Sequence, residues 1–81
     1  MAVKNLAEGP YERLANAIVV QAAKDYLTNL RKLKRNPGSS SAKHEIRTLE
    51  RFFRSQWYQT LTSVDGEYLI NRLRKEALGT K

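Results

Sequence analysis

Between Pro10 and Arg35 apolar residues recur at helical spacing without interruption: Tyr11, Leu14, Ala15, Ile18, Val19, Ala22, Ala23, Tyr26, Leu30 and Leu33. At about 100° per residue these positions cover roughly half of a helix surface. A helix of about 25 residues is a rod of about 38 Å. In a chain of 81 residues one such rod dictates the fold, because everything else must pack along it. Pro10 suits a first helical turn, where its missing N–H costs nothing. Glu8 and Glu12 lie at the positive end of the helix dipole, and Arg31, Lys32, Lys34 and Arg35 at the negative end. Asn36-Pro37-Gly38 then stops the helix.

The rest of the chain reads the same way. Ser39, Ser40 and Ser41 each offer an N-cap for a second helix from about Ala42 to Phe53. Its apolar stripe is Ala42, Ile46, Leu49 and Phe53, with Phe52 beside it. Ser55 is placed to cap a short aromatic segment holding Trp57, Tyr58 and Leu61. Asp65 is placed to cap a last helix from about Gly66 to Leu78, with Leu69, Ile70, Leu73 and Ala77 inward and Gly79 as its C-terminal stop. No segment alternates with period two, so no sheet is expected. The expected fold is all-α: a small three-helix bundle with a long first helix and a short extra aromatic helix before the last one, sequential helices being roughly antiparallel. Residues 10–79 form the single helical domain. Residues 1–9 are expected to be a flexible N-terminal segment, from which Val3 and Leu6 have the chemistry to dock on the core.

Leu49 to Glu76, LERFFRSQWYQTLTSVDGEYLINRLRKE, together with Leu14 to Pro37, resembles a group of small, functionally uncharacterised helical proteins of prophages and integrative elements of Gram-positive bacteria. The most specific parts of the resemblance are Phe52-Phe53-Arg54-Ser55, Trp57 and Asp65 to Ile70. It implies an origin in a mobile element, and it brings no catalytic residue and no ligand with it.

Charge is the main functional signal. Fifteen Lys and Arg stand against eight acids, a net charge of +7, which favours polyanionic partners. Arg13, Lys24, Arg31 and Arg35 fall within about 40° of one another on the first helix, and Lys43, Arg47, Arg51 and Arg54 within about 80° on the second, opposite the core in both cases. Turned the same way, the two faces would make one positive plate for phosphates. The ordinary reading of such faces is a solvated surface, with Glu12 and Glu50 diluting the pattern. The best nucleic-acid contacts by this reading are Arg31, Lys32, Lys34 and Arg35, four cations in five residues. Arg47, Arg51 and Arg54 come second. The partner is DNA or RNA, recognised through phosphates with little sequence readout.

The alternative is a protein-binding module that attaches to a phage or host protein through an apolar and aromatic seam of Val20, Leu27, Tyr58 and Tyr68. Val20 and Leu27 lie outside the main stripe and also suit self-association as a homodimer. Trp57 is expected in the core, because few other large residues are available there; beside Arg54 an exposed aromatic would instead suit stacking on a base. Tyr58 fits either the core or the surface. Tyr68, Arg72 and Lys75 share one outward face.

Catalysis is not expected. There is no cysteine, His44 is the lone histidine, and no nucleophile, base and orienting acid occur together by motif. Asp65-Gly66-Glu67 lacks the alternating oxygen ligands of a calcium loop; capping and the helix dipole account for both acids. No metal and no cofactor are expected. The longest apolar run, Ala17–Val20, is far too short to span a membrane. Met1 to Pro10 has no apolar stretch for a signal peptide, so the expected compartment is the cytoplasm.

Overall fold

The computed structural model describes residues 9–79; Val3, Leu6 and Glu8 lie outside them. The described residues are helical with no strand: α1 (Pro10–Arg35), α2 (Ser40–Phe53), α3 (Gln56–Leu61) and α4 (Gly66–Leu78).

Local chemistry places each boundary. Pro10 opens α1 after an extended Gly9. The α1 helix ends where the Asn36 N–H donates to the Lys32 carbonyl (2.8 Å), and the Ser39 N–H closes the Pro37-Gly38 turn onto the Asn36 carbonyl (3.0 Å). Ser39 is the cap of α2, its hydroxyl accepting from the Ala42 N–H at 3.2 Å, so α2 starts at Ser40, two residues ahead of the sequence expectation. Ser55 serves two helices. Its hydroxyl donates to the Phe52 carbonyl (2.7 Å) and accepts from the Tyr58 N–H (3.1 Å), closing α2 and opening α3. Asp65 caps α4 by accepting from the Tyr68 N–H at 2.9 Å, and Gly79 ends α4 in the left-handed conformation, φ 69°.

The α1 helix packs on both α2 and α4, α2 packs on α4, and α3 sits against α1 and α2. Side-chain bonds set the directions. Lys32 Nζ donates to Ser41 Oγ (3.3 Å), pairing the end of α1 with the start of α2. Lys34 Nζ donates to the Leu78 carbonyl (3.2 Å), bringing the carboxyl ends of α1 and α4 together. So α1 and α2 run antiparallel, whereas α4 runs with α1.

Ala15, Ala22, Tyr26, Ala42, Ile46, Phe53, Tyr58, Ile70 and Ala77 form the buried core. Its centre is aromatic: Phe53 meets Tyr26 and Tyr58 in T-shaped contacts, with ring centroids 5.5 and 5.8 Å apart.

Two expectations fail at the aromatic helix. Trp57 is 58% exposed, and Tyr58, at 1%, fills the interior. Successive residues on a helix point about 100° apart, so a short helix cannot bury both. The phase set by the Ser55 cap sends Tyr58 under Phe53 and leaves Trp57 outside. With Tyr58 inside, its place in a partner-binding seam falls as well. Tyr11 and Leu14 also depart from the expected inward stripe: both are exposed, Leu14 at 62%. The reason is length. The 26 residues of α1 span about 39 Å and the 14 of α2 about 21 Å, so the first turns of α1 run past α2. There they reach α3, where Tyr11 Oη donates to the Thr60 carbonyl (3.4 Å).

Candidate nucleic-acid interface

A polar cluster fixes the orientation of α2. Tyr26 Oη donates to Glu50 Oε2 at 2.6 Å, Arg74 Nη2 donates to the same oxygen at 2.7 Å, and Arg74 Nε donates to Tyr26 Oη at 3.1 Å. Three helices thereby meet in one knot. Burial, and then the bond to Glu50, push the Tyr26 phenol up to about 12. For Glu50, partial burial works to raise the carboxyl, but it is outweighed by the hydrogen bonds from Tyr26 and Arg74 and by the charges of Arg74 and Arg54, so the group is held below its ordinary value. The sequence reading missed this knot, taking Glu50 for a diluent of a basic face. The available signal was Tyr26 itself, since most buried tyrosine hydroxyls take a partner, although that of Tyr58 has none among the described residues.

The knot makes stability depend on pH at both ends. Unfolded, Tyr26 releases its proton near its ordinary value of 10; folded, it holds the proton to about 12. The folded state binds that proton more tightly, so stability should fall as pH rises from 10 to 12. The depressed Glu50 works oppositely: its contribution is present above the ordinary carboxylate range and is lost as pH falls through its folded value. Urea midpoints across pH should show the alkaline fall diminished in Tyr26→Phe and the acid fall diminished in Glu50→Gln. Unchanged profiles in both variants would mean that the knot does not form in solution.

With α2 held in this way, Arg47, Arg51 and Arg54 line one groove with Glu50 and Ser55, about 580 Å³ in volume. Arg54 is committed: it is bonded to Glu67 across the α2–α4 junction and lies 3.8 Å from Glu50. Arg47 and Arg51 are exposed and have no acidic partner among the described residues. The structure thus gathers Arg47 and Arg51 of α2 with Arg54 at its C-cap, and leaves the first two available to an anion.

The cluster at the end of α1 divides. Arg31, Lys32, Lys34 and Arg35 are all exposed, but Lys32 and Lys34 bond to Ser41 and Leu78 and hold neighbouring helices. Arg31 and Arg35 lie opposite the buried stripe of Ala22 and Tyr26. Because α1 packs on both α2 and α4, that outward face is turned away from the arginines of α2. The two basic faces stand on different sides of the molecule and do not merge into the single plate that a common direction would have made.

The expected apolar seam is dispersed too. Val20 is exposed, Leu27 half-buried and Tyr58 interior. Tyr68 is exposed and held from its own helix, with Arg72 Nη1 donating to its hydroxyl at 3.2 Å and the guanidinium 6.0 Å from the ring centre. A different apolar surface appears instead, a groove between α1 and the α2–α3 corner lined by Ile18, Gln21, Asp25, Leu49, Phe52 and Trp57. Its only sequence-level sign was the adjacency of two aromatics on so short a helix.

His44 is exposed. Among the described residues no group of three or more His, Cys, Asp or Glu is placed to hold a metal, and no helix is long and apolar enough to cross a membrane. Comparison with protein-family models, with curated proteins and with solved structures finds no match.

Proposed function

We propose that this chain is a non-enzymatic accessory protein of a phage or mobile element that binds nucleic acid mainly through phosphate contacts and acts in the cytoplasm. The observation that carries the reading is the groove of Arg47, Arg51 and Arg54. Arginine presents several N–H donors in a planar fork suited to phosphate oxygens. Arg54 is oriented by Glu50 and Glu67, while Arg47 and Arg51 are left to pair outward. With a net charge of +7, binding would be steered by long-range attraction and driven by counterion release. Three long helices packed as a bundle, with α3 as an insert at one corner, provide a rigid frame for that groove. Arg31 and Arg35, on the other side of the molecule, form a second and separate contact area. The mobile-element assignment rests on the resemblance of the α1 and α2–α4 segments alone.

The test is a salt titration of binding to random duplex and to single-stranded DNA and RNA. Affinity should fall steeply with salt, and Arg47→Gln with Arg51→Gln should lower the slope by about one unit for each arginine removed, about equally for all sequences. Both side chains are exposed, so the double variant should fold. Unchanged affinity in a folded double variant would remove the groove from the reading. No measurable wild-type binding at low salt would remove nucleic acid altogether and leave attachment to a phage or host protein in its place.

A further inference from the structure

Trp57 lies at one end of the apolar groove, on α3 just after the joint of Arg54 and Ser55 that closes α2. It has one aromatic neighbour, Phe52, at 5.4 Å between ring centres and 73° between planes. A T-shaped contact either covers one face of the indole or touches only its edge, so at least one face has no aromatic partner. With 58% of the residue exposed, a large flat surface is held in place by an aromatic brace and is open to solvent.

The groove that begins at this ring is walled by Ile18, Leu49 and Phe52 and carries two polar groups, Gln21 and Asp25. Gln21 Nε2 donates to Asp25 Oδ1 at 3.0 Å. That bond leaves the Gln21 carbonyl and its second N–H, together with the other Asp25 oxygen, to meet a partner. A flat apolar slot with a few donors and acceptors suits a heterocyclic base, with the base edge facing the amide and carboxylate. The charges set the direction of entry. Asp25 repels a phosphate but accepts from an exocyclic amino group. The phosphate-seeking arginines lie outside the slot on another flank of α2, Arg51 about 100° round the helix from Phe52 and Arg47 one turn before it, within reach of the neighbouring nucleotides of a strand.

We infer that this groove takes an unpaired nucleobase, stacked on Trp57, from a single strand whose phosphates lie along Arg47 and Arg51. The inference rests on the nucleic-acid reading above and narrows it. Bases inside a duplex are stacked on one another and cannot present a face to an indole, whereas those of a single strand can. The duplex would bind the arginines alone.

The chain has one tryptophan, so its emission reports this site and no other. The full chain is titrated at low salt with a 12-nucleotide oligodeoxycytidylate, whose bases carry the exocyclic amino group, a mixed-sequence single strand and a duplex of equal length. Affinity is read from the anisotropy of labelled strands and stacking from tryptophan quenching. Both single strands should bind at least tenfold tighter than the duplex and quench most of the emission. Trp57→Ala should weaken single-strand binding about tenfold, the cost of removing one stacked base, leave duplex affinity unchanged and melt as the wild type does. Trp57→Phe should recover part of the loss.

Equal affinity for duplex and single strands with unquenched emission would overturn the stacking site and leave the phosphate reading standing. Absence of binding to any strand would overturn both. A tryptophan emission that shifts with protein concentration alone, together with a doubling of mass, would assign the groove to a second copy of the chain and overturn the inference.

Discussion

Replacing Tyr26 with alanine should cost about 3–5 kcal/mol, a large share of the stability of a domain this small. Tyr26 has no solvent-exposed surface. Its ring packs edge to face with Phe53, and its hydroxyl stands between Glu50 and Arg74. Removing it opens a ring-sized void where α1, α2 and α4 meet and strips Glu50 of a hydrogen bond that helps keep its carboxylate charged. Trp57, the larger side chain, should behave quite differently: Trp57→Ala removes an exposed ring and should change stability by only about 0.5 kcal/mol. Urea unfolding of both variants measures the contrast directly. Similar costs for the two would mean that the aromatic helix sits in the opposite phase, with Trp57 inside.

Gly66→Ala should destabilise the protein by about 2 kcal/mol or more, although alanine is by far the better helix former. Gly66 is the first residue of α4, and a Cβ there would overlap the carbonyl oxygen of Phe53 at the end of α2 and touch the Tyr58 ring at 3.7 Å. Two effects of opposite sign compete. Helix propensity favours alanine by at most about 1 kcal/mol. Overlap with a backbone carbonyl has no side-chain rotation to relieve it, so α4 must shift away from α2, and overpacking of this kind costs about 1–3 kcal/mol or more. The shift would also strain the Arg54–Glu67 pair and the Glu50–Arg74 bond, which join the same two helices. Gly38→Ala is the control: its Cβ would meet nothing nearer than the Asn36 side-chain oxygen at 3.8 Å, and its melting temperature should stay close to wild type. A Gly66→Ala variant that melts higher than wild type would show that α2 and α4 do not approach this closely.

The arginine groove was partly legible from the amino-acid order and partly not. Arg47, Arg51 and Arg54 share a face by spacing alone, and all three line the groove. What spacing did not reveal is that Arg54 is tied to Glu67, thirteen residues away, or that Lys32 and Lys34 hold Ser41 and Leu78. A run of four cations reads as one cluster along the chain; in space two of them are structural and two are available. Gly66 had looked like part of an acidic turn, because its reason for being glycine is a carbonyl on another helix.

The order of residues by itself determined where the helices begin and end. Pro10, Ser39, Ser55, Asp65 and Gly79 act on backbone groups within four residues of themselves, and the apolar stripes follow the helix period, so both are written locally. The tertiary structure decided which member of each ambiguous pair faces inward and which charges remain open. Tyr58 rather than Trp57 is buried, Glu50 is a core partner of Tyr26, and the basic faces of α1 and α2 point apart. Each of these depends on the rotation of one helix against another. That rotation is set by contacts between residues 24 to 48 positions apart, such as Tyr26 with Glu50 and Arg74 with Tyr26, and no local pattern encodes it.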